Sequence, residues 1–337
     1  MYSFLQVIFN QEFWKNCSSS LRQNLKKSIW ESRKPATIVK YCSTLRKFFE
    51  FCKIKNINIV VPFDSLTIAQ YLEHIKLTTS AISAVSNALV SIKWLHGFMP
   101  GLNASNDPAN DRFLSKIVES CSRNITKMKQ RKEPLSPEMI KAFIESVPEN
   151  ASLTQLRDCL IPVLSFSLLL RPDEASHLNC NHFFREVQGL KILIPSSKTD
   201  SFRQGKFVFL SKKNRSVFDL ISKYLQKSNL DFGQNHFFFG PIEFNKSNRR
   251  YEVSNRRLSY DVYNKIFRNT VSKLGLNPEN FGTHSARSGG ASCLAPHISQ
   301  YDLMLSGRWS DPRSIGSYVE TPVQRRFEIN EILDINP

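Results

Sequence analysis

The chain has 337 residues, of which 41% are hydrophobic and 22% charged, a balance typical of folded globular proteins. Its 46 lysines and arginines outnumber its 29 acidic residues, and the resulting net charge of +17 favours a polyanionic partner, nucleic acid before an anionic membrane surface. No apolar run approaches the ~20 residues of a membrane helix, and the first residues lack the pattern of a secretory signal.

A chain of this length is expected to hold two domains, because single cores split beyond roughly 250–300 residues. Residues 1–122 predict an all-helical domain, a bundle of four or five helices without β-type alternation. The stretch SLTIAQYLEHI is predicted to begin with Ser65 as its capping residue. One face of TIVKYCSTLRKFFEFC carries apolar side chains at helical spacing: Ile38, Tyr41, Leu45, Phe48 and Cys52.

Residues 123–135 connect the predicted domains and are basic, with no acidic side chain before Glu133. Two interpretations stay open: an exposed hinge, or a linker that follows the phosphates of a duplex held between two domains. We favour the second because the whole chain is basic. The candidate DNA-binding residues of this linker are Arg123, Lys127, Lys129, Arg131 and Lys132.

Residues 136–322 predict a mainly helical domain with a small β-sheet. Ser136 is expected to cap a helix that begins with Pro137. The stretch LRDCLIPVLSFSLLL is apolar nearly all round and predicts a buried central helix. Two short strands, LKILIP and KFVFLS, predict a hairpin with Lys198 in its loop, and helices are predicted again towards the end of the chain. Residues 323–337 are assigned to a separate C-terminal tail.

Several polar residues stand where helix or strand patterns do not require them. Arg171 ends the apolar helix, and Pro172 makes the chain turn there and begin a new helix. A cation in that position needs a partner, and Glu174 lies one turn further on. His284 and Arg287 share one face of a predicted helix, and the two glycines that follow allow another backbone to approach closely.

Trp309 and Tyr318 lie on either side of a predicted helix start, SDPRS. Ser310 or Asp311 is expected to cap this helix, which would place Tyr318 about two turns into it. A structural explanation stays open for every residue singled out: an ion pair, an ordinary loop lysine, a capping histidine beside a surface arginine, or aromatic rings in a core.

Together these side chains are the groups needed to cleave a phosphodiester without a metal. Arginines bind phosphate oxygens and neutralise charge in the transition state. A phenol is mostly protonated at neutral pH, so it needs nearby cations and a base to act as a nucleophile. The seven cysteines are scattered without any CxxC pair, and no carboxylate or His/Cys array suggests a metal, so neither a metal nor another cofactor is expected.

The chain resembles the tyrosine recombinase (integrase) superfamily in the residues that carry this chemistry, which follow in the order Arg171, Glu174, Lys198, His284, Arg287, Trp309 and Tyr318. The tryptophan ahead of the tyrosine is similar to the Cre-type catalytic set. The stretches FGTHSARSGGAS and GRWSDPRSIGSYVE look closer still to recombinases of eukaryotic mobile elements of the Ngaro, DIRS and Crypton type.

The resemblance implies that Tyr318 is the nucleophile and forms a 3′-phosphotyrosyl bond, which stores the energy of the broken phosphodiester so that rejoining needs no ATP. Lys198 would protonate the 5′-hydroxyl that leaves, with His284 as base and then acid.

The remaining residues would bind the phosphate. Arg171 and Arg287 would contact its non-bridging oxygens, Trp309 would donate its indole N–H, and Glu174 would hold Arg171 or His284 in place.

The resemblance further implies an all-helical core-binding domain and an α+β catalytic domain that form a C-shaped clamp on double-stranded DNA, at a specific site with inverted-repeat arms. Protomers would associate into dimers and a tetrameric synaptic complex that passes through a Holliday junction, with no role for a membrane. The tail would dock on a neighbouring protomer, although folding back on its own domain stays open. The expected compartment is the nucleus for a eukaryotic host, which we favour, and the cytoplasm otherwise.

Two other functions stay open. One is a type IB topoisomerase-like enzyme that nicks and closes DNA as a monomer, which site-independent relaxation of a plasmid would reveal. The other is a domesticated DNA-binding module without catalysis, which would form no covalent adduct with DNA.

Overall fold

The computed structural model describes residues 17–79, 81–99, 101–123, 132–195 and 205–319. The chain divides into two compact units, residues 1–129 and 130–337, and the boundary lies inside the basic segment 123–135. In these described ranges no helix is both long enough and apolar enough to cross a lipid bilayer. The predictions for Lys127, Lys129, Arg131, Lys198 and the tail 323–337 lie outside the described residues.

The described part of the first unit is helical, as the sequence predicts. Its helices are α1 (Ser19–Glu31), α2 (Pro35–Ile54), α3 (Ser65–Thr78), α4 (Ile82–His96) and α5 (Arg112–Arg123), with a short 3-10 helix at Pro108–Asn110. The predicted apolar face of α2 is buried except for Tyr41, which is half-buried. Candidate linker residue Arg123 is the last residue of α5.

The predicted cap of α3 is wrong by one residue. Asp64 precedes the helix, and its carboxylate accepts the backbone N–H of Thr67 at 2.9 Å. The hydroxyl of Ser65 instead donates to the carbonyl of Pro108 at 3.1 Å. A carboxylate three residues before a free N–H is as good a cap as a serine, so the local sequence allowed either assignment.

A buried histidine joins α4 to the loop before α3. The Nε2 atom of His96 accepts the backbone N–H of Phe63 at 3.0 Å, so the ring proton is on Nδ1, which lies 2.6 Å from a carboxylate oxygen of Asp107. Burial lowers the pKa of His96, and the charge of Asp107 opposes that effect without reversing it. The fold therefore holds His96 in its neutral form.

The second unit combines helices with two small antiparallel sheets. Its helices are α6 (Pro137–Glu145), α7 (Leu153–Ser167), α8 (Pro172–Ser176), α9 (Arg215–Ser228), α10 (Tyr260–Lys273), α11 (Ser285–Leu294) and α12 (Gln300–Gly307), with 3-10 helices at Cys180–His182 and Pro312–Ser317. The strands are β1 (Phe183–Glu186), β2 (Gly189–Ile194) and β3 (Lys206–Ser211) in one sheet, and β4 (Ile242–Asn245) and β5 (Arg250–Val253) in the other.

The central helix of this unit is α7, as predicted. It is buried over most of its circumference and packs against α9, α10 and α11. Ser136 caps α6 and Pro137 is its first residue, again as predicted. The predicted hairpin is the β2–β3 pair, with Ile192 opposite Val208. The sequence analysis missed β1 and the β4–β5 pair, whose four-residue strands are mostly exposed and lack a clear alternation of buried and exposed side chains.

The close approach predicted for the glycines after Arg287 is confirmed. A Cβ atom on Gly289 would overlap the carbonyl of Leu135, and one on Gly290 would overlap the carbonyl of Phe166 at the end of α7. Because α11 can lie this close to α7, the residues at the start of α11 reach the turn that follows α7.

Candidate active site

The first component of the site is the turn between α7 and α8. Leu169 has a left-handed backbone (φ 49°), and Arg171 is extended (φ −78°, ψ 154°) because Pro172 disfavours a helical conformation before it. An Arg171 Nη1 donates to Glu174 Oε1 at 2.6 Å, and the Arg171 backbone N–H donates to Oε2 at 2.9 Å. The predicted Arg171–Glu174 pair is confirmed.

Glu174 is buried, with 3% of its surface exposed, yet it carries a negative charge. Burial alone would raise the pKa of its carboxyl, but the charges of Arg308 and Arg171 and the Arg171 N–H together hold that pKa below its ordinary value. Glu174 thus serves as the counter-ion of several cations. Of the two partners predicted for it, Arg171 is the one that the structure pairs with it.

The second component is the start of α11. Arg287 is fully buried, which rules out the surface arginine considered above. Its guanidinium donates to the carbonyls of Leu169 and Gly307, and its Nη1 lies 3.9 Å from Glu174 Oε2. Burial and the nearby charge of Arg171 lower the pKa of Arg287 to about 9, so the guanidinium is still charged at neutral pH.

His284 lies immediately before α11 and is exposed. The centroid of its ring is 6.2 Å from that of Tyr318. The structure therefore brings His284 and Arg287 to the same tyrosine, His284 from the solvent side and Arg287 from the interior.

The third component is Trp309, which is buried and stacks beside Arg287. The Cζ atom of Arg287 is 4.5 Å from the centre of the indole ring. The indole N–H is buried and has no hydrogen-bond partner among the described residues. Leaving a buried donor unsatisfied costs about 1–3 kcal/mol, so this N–H favours the binding of an acceptor that the described residues do not supply.

Tyr318 completes the site, but the helix predicted around it is wrong. The segment forms a 3-10 helix that Asp311 caps, and Tyr318 is the residue that follows it rather than a residue two turns inside an α-helix. Its carbonyl accepts hydrogen bonds from Ser288 and Ser292 of α11. These bonds fix the backbone of Tyr318 against the helix that carries Arg287.

The Tyr318 side chain is partly exposed and lies near three of the predicted site residues, His284, Arg287 and Trp309. Its ring centroid is 5.3 Å from that of Trp309 and 5.1 Å from the Cζ atom of Arg287. Tyr318 thus carries a partly accessible ring beside a buried guanidinium and a buried indole.

The sequence analysis missed one residue of the site, Arg308. It is buried, with 1% of its surface exposed, and its Nη2 donates to Glu174 Oε2 at 2.7 Å. Its backbone is left-handed (φ 56°), a conformation that costs a non-glycine residue on the order of 1 kcal/mol. The signal available in the sequence was a cation directly before Trp309.

The site is strongly electropositive. Among the residues that the structure describes, three buried arginines, Arg171, Arg287 and Arg308, surround one carboxylate, Glu174, so the described side chains of the cluster carry two more positive charges than negative ones. Such an excess in a buried cluster favours an anionic ligand that accepts hydrogen bonds from arginine, as a phosphate does. Among the described residues, no group of three or more His, Cys, Asp or Glu side chains is placed to hold a metal ion.

The chain is similar to known proteins both in sequence and in structure, although no model of a known family matches it. It is 24% identical over 296 residues to an integrase/recombinase XerD homolog of Selenomonas ruminantium, a match that covers 88% of this chain and 84% of that protein.

The solved structures that the fold resembles are also recombinases and integrases. The XerH site-specific recombinase, in a post-cleavage complex with its palindromic difH substrate, matches with a TM-score of 0.61 and 18% identity over 95% of this chain and 86% of that one. The Tn1549 transposon integrase, in complex with transposon right end DNA, matches with a TM-score of 0.59 and 13% identity over 92% of this chain and 98% of that one. The fold is therefore the one these DNA-bound enzymes share.

Proposed function

We propose that this chain, a member of the tyrosine recombinase (integrase) superfamily, is a site-specific DNA recombinase that cuts and rejoins DNA through a covalent bond to Tyr318. The observation that carries the proposal is the position of the phenol. Tyr318 lies against the guanidinium of Arg287 and the indole ring of Trp309, whose N–H has no hydrogen-bond partner among the described residues, in a cluster where the described charges are mostly positive.

The reaction follows from this arrangement. A backbone phosphate enters the cluster, where Arg171 and Arg287 neutralise its charge and Trp309 donates its N–H to it. The phenolic oxygen of Tyr318 attacks the phosphorus and loses its proton, for which His284 is our candidate acceptor. A Tyr318–phosphorus bond forms as the phosphorus–5′-oxygen bond breaks.

The departing 5′-oxygen takes up a proton, for which Lys198 is our candidate donor. In the second half of the reaction a 5′-hydroxyl attacks the phosphotyrosyl bond and releases the phenol. The two halves are the reverse of one another, so one set of side chains serves both, and no external energy source is needed.

We further propose that the chain belongs to the mobile-element branch of eukaryotic tyrosine recombinases and acts in the nucleus. The support for this assignment is the likeness of FGTHSARSGGAS and GRWSDPRSIGSYVE to Ngaro, DIRS and Crypton recombinases. Double-stranded DNA with inverted-repeat arms is the proposed substrate, bound by dimers that pair into a tetramer. The basic linker 123–135 would contact its phosphates; its two described candidates, Arg123 and Lys132, are exposed, and the Lys132 ammonium also donates to the carbonyl of Glu279.

The proposal is tested by mapping covalent adducts. The purified chain is incubated with sheared genomic DNA, the reaction is stopped with detergent, and protein-linked fragments are sequenced. We expect fragments that end at a recurring sequence with wild type and none with Tyr318→Phe. Tyr301→Phe, an exposed tyrosine on α12, is the matched control and should behave as wild type. Adducts that survive Tyr318→Phe would show that the nucleophile is another residue.

A further inference from the structure

Arg308 is a buried cation without a direct role in the proposed reaction. It follows α12 and precedes Trp309, and its left-handed backbone is one that glycine would adopt without strain. A long charged side chain at such a position has to be held by its own contacts.

Those contacts reach across the site to the turn after α7. Arg308 Nη1 donates to the carbonyl of Leu168 at 3.2 Å, and Nη2 donates to the carbonyl of Leu169 at 2.7 Å. Both carbonyls lie at the end of α7, where helix carbonyls lack partners within the helix. Arg308 therefore fixes the segment that leads directly into Arg171.

Arg308 also determines how Glu174 is shared. One carboxylate oxygen, Oε1, accepts from the Arg171 side chain at 2.6 Å. The other, Oε2, accepts from Arg308 at 2.7 Å and from the Arg171 backbone N–H at 2.9 Å. In the described part of the chain the Arg171 guanidinium makes no further hydrogen bond, so a single one of its three nitrogens is engaged by the described residues.

We propose that Arg308 is a positioning residue for the cleavage step: it occupies one oxygen of Glu174 and the two carbonyls ahead of Arg171, so that the remaining N–H groups of Arg171 are left for the scissile phosphate. This inference rests on the proposed function. Without Arg308, Oε2 of Glu174 retains the Arg171 backbone N–H and can accept a second N–H from the Arg171 guanidinium. Such a two-pronged pair with Glu174 competes with the phosphate for the same guanidinium.

The test compares two DNA substrates, each carrying a cleavage site recovered by adduct mapping. One has an ordinary scissile phosphate, and the other has a methylphosphonate, in which a methyl group replaces a charged oxygen. An uncharged phosphorus centre does not need the charge of Arg171, so a defect that acts through Arg171 should depend on the substrate. Single-turnover cleavage rates are measured for wild type, Arg308→Met, Arg308→Lys and Arg171→Met, with thermal unfolding of each.

We expect Arg308→Met to cleave the phosphate about 10²-fold more slowly, the usual effect of a misplaced catalytic group, and to cleave the methylphosphonate nearly as fast as wild type. The double variant with Arg171→Met should be no slower than Arg171→Met alone, because both changes remove one function. Lys227→Met is the matched control, since Lys227 also donates to a backbone carbonyl, that of Ala151 at 2.7 Å, outside the site. It should leave both rates unchanged.

Equal slowing on both substrates, or no slowing, would overturn the inference. If Arg308→Met does not fold, Arg308→Lys tests the inference instead. A lysine keeps the charge but cannot contact two carbonyls and a carboxylate at once. We therefore expect Arg308→Lys to slow cleavage less than Arg308→Met, and to do so with the phosphate substrate alone. A wild-type rate for Arg308→Lys would contradict the proposed positioning role. Failure of the proposed function is distinguishable, because wild type itself would then form no adduct.

Discussion

Replacing Glu174 with glutamine should destabilise the second unit strongly, because it removes the negative charge that pairs with two of the three buried arginines of the cluster. Glu174 contacts Arg171 at 2.6 Å and Arg308 at 2.7 Å. At an effective dielectric constant of about 20, each such pair contributes on the order of 4 kcal/mol, and part of this is offset because an amide needs less desolvation than a carboxylate. The expected loss in the free energy of unfolding is about 3–5 kcal/mol, the usual effect of removing one partner of a buried pair.

For a unit of this size, that loss corresponds to a fall in the unfolding midpoint of about 6–20 °C. Thermal unfolding followed by circular dichroism at pH 7 measures it. Glu252→Gln is the matched control: Glu252 also accepts hydrogen bonds from an arginine and two asparagines, but it lies on the surface of the β4–β5 pair, and its loss should change the midpoint little.

The effect should also depend on pH. The pKa of Glu174 is lower in the folded chain than its ordinary value of 4.5, so its contribution to stability is full above about pH 4.5 and is lost as the pH falls. The difference between wild type and Glu174→Gln should therefore shrink on acidification. A midpoint change no larger than that of Glu252→Gln at pH 7 would refute the view that Glu174 is the counter-ion of the cluster.

Two further predictions follow from other residues. Lys198→Ala should slow cleavage by about 10²–10⁴-fold with DNA affinity nearly intact, the usual effect of losing a general acid. A substrate with a 5′-thiol leaving group, which needs no proton, should restore the rate of this variant. A rate that is not restored would exclude Lys198 as the general acid. The pKa of His96 is lower in the folded chain than its ordinary value of 6.5, so the unfolded chain binds a proton first and stability should fall as the pH drops below about 6.5. The Phe63 amide donates its hydrogen bond to His96, so its protection factor against hydrogen exchange, which corrects for the intrinsic effect of pH, should fall between pH 7 and pH 5. An unchanged protection factor would contradict a neutral buried histidine.

The sequence predicted those parts of the fold that local spacing encodes. The helix α7 was recognisable because its residues are apolar nearly all round, and β2 and β3 because apolar residues alternate on either side of a polar turn. The turn at Arg171 followed from Pro172, whose ring acts on the residue directly before it. In each case the cause lies within a few residues of the effect.

The parts that were missed depend on distant contacts. Arg308 differs from a surface arginine only because Glu174 and the end of α7, more than 130 residues earlier, lie beside it in the fold. The segment after Asp311 was assigned an α-helix from its cap and proline, but those features suit a 3-10 helix equally. The two glycines predicted that another backbone would approach α11, but the local sequence does not show that this backbone is the end of α7 or that Arg287 is buried by it.

The most direct test of the account is to identify the amino acid that becomes linked to DNA. Adducts formed with wild type are digested with nuclease and protease, and the remaining peptide is sequenced by mass spectrometry. We predict a single modified peptide that carries a nucleotide, joined through its 3′-phosphate, on Tyr318. A nucleotide on any other side chain, or one joined through a 5′-phosphate, would contradict the proposal that Arg171, Arg287 and Trp309 hold a phosphate for attack by this tyrosine.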